Sequence, residues 1–193
     1  MPDPHDLPIV LFASRESFEA WLGQQGGASS GLWLKIARKG TRPGTVTYAE
    51  ALDAALCFGW IDGQKRPLDD EHWLQRFTPR AARSRWSQAN RKRATELIEL
   101  GQMRHAGLAE VERAKADGRW DAAYQGARSA TVPDDLQAAL DADAEAAAFF
   151  ATLDSRNRYA ILYRIGDAKR PETRRARIET YVAMCREHKL IHP

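Results

Sequence analysis

Cysteine is scarce in these 193 residues: only Cys57 and Cys185 occur, far apart in the chain. Two isolated thiols do not make a disulfide framework, so a reduced interior is expected. Long apolar runs are absent too, and no stretch approaches the roughly 20 residues that span a bilayer. Met1 to Val10 has neither a positively charged start nor a sustained apolar run, so no secretory signal is expected and a cytoplasmic location is the simplest reading. Phosphate-cradling G-x-x-x-x-G-K-[ST], dinucleotide G-x-G-x-x-G, G-x-S-x-G and H-E-x-x-H patterns are all missing. Their absence argues against the commonest nucleotide hydrolases, dehydrogenases, serine hydrolases and zinc peptidases. No fixed-period repeat occurs, and no cofactor is implied.

What is present is the composition of a globular protein: 44% hydrophobic and 28% charged residues, with a net charge of +3. That length buries roughly 70% of the unfolded chain's surface without a staple. The informative charge is local. From His72 to Thr95 there is no acid, while Arg76, Arg80, Arg83, Arg85, Arg91, Lys92 and Arg93 all fall inside. Trp60, Trp73 and Trp86 lie in the same region, three of the six tryptophans. Guanidinium groups offer a planar donor fork and stack on aromatic faces, which suits an anion or a flat ring.

Taken in order, Leu7 to Phe12 reads as an edge strand, and Ser14 caps a helix carrying Phe18, Trp21 and Leu22. Gly31 to Arg38 alternates as a strand does, and Lys39 to Gly44 is a basic loop. Thr47 and Glu50 form a capping box for a helix with Ala51, Leu52, Ala55 and Leu56 on one stripe. Gly59–Lys65 and Trp73–Phe77 read as an antiparallel hairpin around an acidic turn. Ser87 is placed to cap a helix over residues 88–100, and Gly107–Asp117 is helical. Residues 119–133 have no regular period. Beyond them everything is helical, with Ser155 as a cap and Pro171 at a first helical position. The fold class expected is α+β: an N-terminal mixed part with a small antiparallel sheet and helices, then a C-terminal bundle of three or four short helices. The expected boundaries are 1–118 for the first domain, 119–133 for a linker and 134–193 for the helical module.

Leu56–Asp62 (LCFGWID), Phe77–Arg80 (FTPR), Ser84–Asn90 (SRWSQAN) and Gly101–Gly107 (GQMRHAG) resemble the YdeI/OmpD-associated family of bacterial proteins. Ala168–Arg174 (AKRPETR) with Arg177-Ile178 resembles that family's terminal helical module. The likeness extends from about Phe18 to Met184. It implies a connection with bacteriocin protection, an outer-membrane porin, and stress or antimicrobial-peptide tolerance. It implies no reaction and no catalytic residue set.

The candidate site is the hairpin and the segment just after it: Trp60, Asp62, Arg76, Arg80, Ser84, Trp86 and Asn90. Strand alternation places Trp60, Asp62 and Gln64 on one face. A register bringing Arg76 or Arg80 opposite Asp62 would set a carboxylate and a guanidinium beside an indole. Trp86 and Asn90 fall where a helix starts, and backbone N–H groups there favour anions. The plainer alternative makes Trp60 and Trp86 core aromatics, Asp62 a turn acceptor and the arginines a solvated face. Cys57 reads as a buried small hydrophobe. Cys185, His188 and His192 have spacing that reaches one metal ion but lack a fourth ligand, so no metal is expected. Lys169, Arg170, Arg174, Arg175 and Arg177 are expected to be neutralised internally, by Glu172 at the same helix end and by the acidic Asp134–Glu145 segment. Binding of a small anion ranks first among the functions. Docking of a protein partner through the C-terminal helices ranks second. An enzyme of unassigned reaction using Asp62, and nucleic-acid binding, rank below both.

Overall fold

The computed structural model describes residues 7–41 and 44–193, so the first six residues and Arg42 and Pro43 of the basic loop lie outside it. The chain divides into two compact units, one of residues up to Trp86 with Asn90–Ala123, the other of Ser87–Ala89 with Tyr124–Pro193. The α+β reading holds. No helix among the described residues is long and apolar enough to cross a membrane.

The first unit carries β1 (Ile9–Leu11), α1 (Arg15–Gln25), β2 (Leu32–Ala37), α2 (Tyr48–Cys57), β3 (Trp60–Pro67), β4 (His72–Pro79), most of α3 (Gln88–Glu99), and α4 (His105–Ala116). Ser14 and Thr47 cap α1 and α2 in reciprocal capping boxes. The small sheet expected is there, in the order β1-β2-β4-β3, and its hairpin is antiparallel. Its edge differs: β1 runs parallel to β2. The reason is α1, since a helical crossover returns the chain to the same end of the sheet.

Alternation along β2 separates two cores. Leu32, Leu34 and Ile36 join Phe18, Ala51, Ala54, Ala55, Trp60 and Phe77 beneath α1 and α2. Trp33 turns the other way, to Leu7 and Leu74. Each large side chain buried completely, as Phe18, Leu34 and Phe77 are, contributes roughly 1.5–3 kcal/mol. A third cluster packs Leu56, Cys57, Trp86, Ala94, Leu97, Val111 and Ala114 between α2, α3 and α4. There Arg93 forks onto Asp53 with two contacts of 2.6 Å.

The second unit is the expected bundle: α5 (Asp134–Asp141), α6 (Ala144–Thr152), α7 (Ser155–Gly166) and α8 (Pro171–Arg186). Leu136, Leu140, Phe150, Ile161, Ile165, Ile178, Val182 and Cys185 form its core. The cap of α7 is Asp154 instead of Ser155, because the Asp154 carboxylate accepts the Asn157 N–H at 2.7 Å. Buried Asn157 also holds the chain end, accepting from the N–H groups of Ile191 and His192 and donating to the His192 carbonyl. Internal pairing of the basic cluster holds for Arg174, which forks onto Asp135 at 2.5 and 2.8 Å.

Two measurements check this packing. A Cβ on Gly107 would stand 2.3 Å from the Cys57 carbonyl oxygen, whereas one on Gly166 meets nothing within 4 Å. Gly107→Ala is expected to lower stability by about 2 kcal/mol or more in urea unfolding, and Gly166→Ala to change it by less than about 0.5 kcal/mol. The carboxyls of Asp143 and Asp154 are held below their ordinary value of 3.8, chiefly by the N–H groups of Ala146 and Asn157 that they cap. A depressed carboxyl contributes stability above its unfolded value and loses it as pH falls through the folded one. The bundle should therefore weaken below pH 3.8. Asp154→Asn keeps a good cap without the titration, so it should flatten that slope in acid unfolding followed by circular dichroism.

Candidate functional site

The site is built on a backbone junction. At the end of α2, Phe58 closes the helix and Gly59 turns into β3 at φ +75°, a conformation glycine adopts at no steric cost. The Arg80 N–H donates to the Gly59 carbonyl at 3.0 Å, and the Arg104 N–H donates to the Cys57 carbonyl at 3.0 Å. Gly59 also faces the Ala106 carbonyl, where a Cβ would stand only 2.9 Å away. Together with Gly107, these contacts join LCFGWID, FTPR and GQMRHAG at one point. The three motifs are distant in sequence and adjacent in space.

Around the junction opens a cleft of about 500 Å³. Phe58, Trp60 and Pro79 give it apolar walls, and Gly23, Gly26 and Gly27, in and just after the last turn of α1, line it without side chains. Arg80, Arg104 and His105 supply the polar groups. Arg80 is only 6% exposed, with its guanidinium carbon 3.5 Å over the Trp86 ring and one nitrogen donating to the Arg85 carbonyl. The indole holds the cation in one place, where it is pre-organised. Arg104 stands just before α4, and that helix opens without a side-chain cap bond. Its first N–H groups and the positive end of its dipole are thus available to an anion. The one acid in the lining, Glu110, is paired with Arg113.

Of the seven residues expected at the site, Trp60 and Arg80 line this cleft, and Trp86 backs Arg80 while meeting Trp120 edge-on at 4.9 Å. The other four do not line it. β3 bulges between Asp62 and Lys65, so Trp60, Asp62 and Gln64 do not continue along one face. Asp62 pairs with Phe77 and not with Arg76 or Arg80. Its carboxylate accepts from the Tyr48 hydroxyl at 2.8 Å and the Asn90 amide at 3.5 Å. Arg76 pairs with Trp33 on the opposite face of the sheet and lies against Gly63. Ser84 closes a turn on Ala81, and its carbonyl accepts from Arg119 at 2.7 Å. Burial pushes the thiols of Cys57 and Cys185 up, away from the thiolate form a nucleophile needs.

Sequence reasoning missed Phe58, Arg104, His105 and the glycines of α1. A signal existed in GQMRHAG, whose glycine inside a helical segment marks a close backbone approach.

The fold and cleft define an α+β unit with a cationic, aromatic-walled pocket, in one chain with a four-helix module. Residues 10–110, more than half of the chain, match the family described as a domain of unknown function (DUF8412), and the chain belongs to that family. Residues 129–188 match the family described as bacteriocin-protection, YdeI or OmpD-associated. The resemblance of the C-terminal residues is thereby borne out, while LCFGWID, FTPR, SRWSQAN and GQMRHAG all lie inside the first match. No curated protein and no solved structure matches the chain.

The Tyr48–Asp62 bond gives a test of the hairpin's anchorage. Burial, followed by the nearby Asp62 charge, pushes the Tyr48 phenol up, so it remains a donor throughout the physiological range. Tyr48→Phe should cost about 1 kcal/mol in urea unfolding. Loss of the bond should leave the Trp60–Arg80 cleft unaltered, since neither Tyr48 nor Asp62 lines it.

Proposed function

We propose that the protein is a bacteriocin-protection-type factor that binds a small anionic ligand in the Trp60–Arg80 cleft. One observation carries this reading: Arg80, Arg104 and the uncapped start of α4 converge on a cleft walled by Phe58, Trp60 and Pro79. Fixed donors beside apolar walls are the usual make-up of a small-molecule pocket, and about 500 Å³ lies within the common range of 300–1,000 Å³. A ligand with a carboxylate or phosphate on a flat or apolar body fits that chemistry. The protective role rests on the family match at residues 129–188. In this reading residues 1–118 hold the ligand and residues 134–193 form a separate helical module. Action in the cytoplasm belongs to the same proposal, supported by two free, buried thiols.

Docking of a protein on the C-terminal helices is the second reading, favoured by the family match falling on that module. A reaction using Asp62 has less support, since its carboxylate is held by Tyr48 and Asn90 away from the cleft lining.

A thermal-shift screen of nucleotides, sugar phosphates and aromatic carboxylates tests the first reading. A true ligand at 100 times its Kd stabilises by about 2.7 kcal/mol, a rise of about 5–10 °C for a chain of this size. Arg104 is well exposed, so Arg104→Glu should fold normally and weaken that ligand at least tenfold. A full shift surviving Arg104→Glu, or no shift with any compound, would discard the cleft in favour of docking.

A further inference from the structure

We infer a second ligand site on the first unit, at the opposite end of the hairpin, built to take a phosphate group carried on a flat ring, as in a nucleotide. Arg38, Lys65, Arg66, Pro67 and Trp73 enclose a cleft of about 320 Å³ there. Arg66 stands six positions beyond Trp60 on β3, roughly 20 Å of strand. The two clefts share no lining residue.

The bulge creates the arrangement. Asp62 pairs with Phe77, but Lys65 pairs with Gln75 and Arg66 with Leu74, so Gly63 and Gln64 together oppose Arg76. An extra residue in one strand exchanges the faces of everything beyond it. Lys65 is thereby carried to the face of Gln75 and Trp73, and Arg66 to the face of Leu74 and Trp33. Without the bulge each would point the other way.

Among the described residues no carboxylate forms an ion pair with Arg38, Lys65 or Arg66, although the acidic turn Asp69–Glu71 lies between the two strands. Asp69 is engaged elsewhere, accepting the N–H groups of Glu71 and His72 at 3.0 and 2.6 Å and facing Lys35 at 3.7 Å. Arg66 borders the cleft from the other face of the strand, where its guanidinium carbon lies 4.1 Å over the Trp33 ring, so Arg38 and Lys65 are the cations beside Trp73.

The aromatic wall sets the class of ligand. Trp73 is half-buried, braced against Tyr48 with ring centroids 6.0 Å apart, and lines the cleft beside Lys65 and Arg38. Stacking on such a ring tolerates any base, while neighbouring Lys and Arg take the phosphate. Either a free nucleotide or one nucleotide of a single strand would supply that chemistry.

Isothermal titration of the full chain with AMP and with (dT)8, each at low and high salt, tests the site. Saturable binding of at least one probe is expected, weakened at least tenfold by the double variant Arg38→Glu/Lys65→Glu. Both positions are exposed, so that variant should melt like the parent. The titrations are repeated in the Arg104→Glu background, which removes the first cleft as a competing nucleotide site, and the loss caused by the double variant should persist there. AMP binding would identify the free nucleotide as the source. Binding of (dT)8 alone, falling steeply with salt, would identify the strand. The inference is overturned if neither probe binds at millimolar concentration, if the double variant binds like the parent, or if Arg104→Glu removes the binding.

Discussion

The first unit hangs on the approach of two backbones at the end of α2. The Cys57 carbonyl accepts the Arg104 N–H, and Gly107 stands so near that carbonyl that no side chain fits between them. This contact fixes where α4 begins. It thereby fixes where the α4 N–H groups, Arg104 and His105 face the cleft. On the other side of the same turn, Gly59 accepts the Arg80 N–H and so sets the end of β4. Glycine at 59 and 107 is required by space and not merely tolerated: any Cβ there would meet backbone, which cannot swing aside as a side chain can.

A second constraint acts on the sheet. Alternation in β2 sends Leu34 to the helical side and Trp33 to the other, so each basic residue of the hairpin has one of two environments. Arg76 stays within β4 opposite Trp33, whereas Arg80, past the end of the strand, lies over Trp86, though both belong to one acid-free run of sequence. The bulge at Gly63 and Gln64 then re-aims Lys65 and Arg66. Basic residues close in sequence thus end up on different surfaces against different indoles: Trp86 under Arg80 and Trp33 under Arg66.

The second unit is organised by capping and by a closed chain end. Asp143 and Asp154 start two of its helices, and Asn157 uses both ends of its amide to bind the last residues. The burial of Asn157 is tolerated because each of its polar atoms has partners.

Much of this was readable in one dimension. Thr47 with Glu50, Pro171 at the start of α8, the alternation of β2 and the hairpin around its acidic turn are signals between near neighbours, set by capping chemistry and side-chain period. The likeness of the last helices to the bacteriocin-protection family was likewise carried by contiguous residues. Trp60, Arg80 and Trp86 were singled out because charge and aromatics stand together in the chain. Register, bulge and face were not readable, since one extra residue in β3 changes every later pairing and leaves the composition unaltered. Nor was the meeting of Gly59 with Ala106 or of Arg104 with Cys57 legible, because contacts across 47 residues depend on how helices and strands pack. The sequence by itself determined the elements and several of their caps, and it marked the hairpin as rich in cations and indoles. Only the tertiary structure decided which cations share a cleft, because that depends on backbone approach and strand register, which no local pattern encodes.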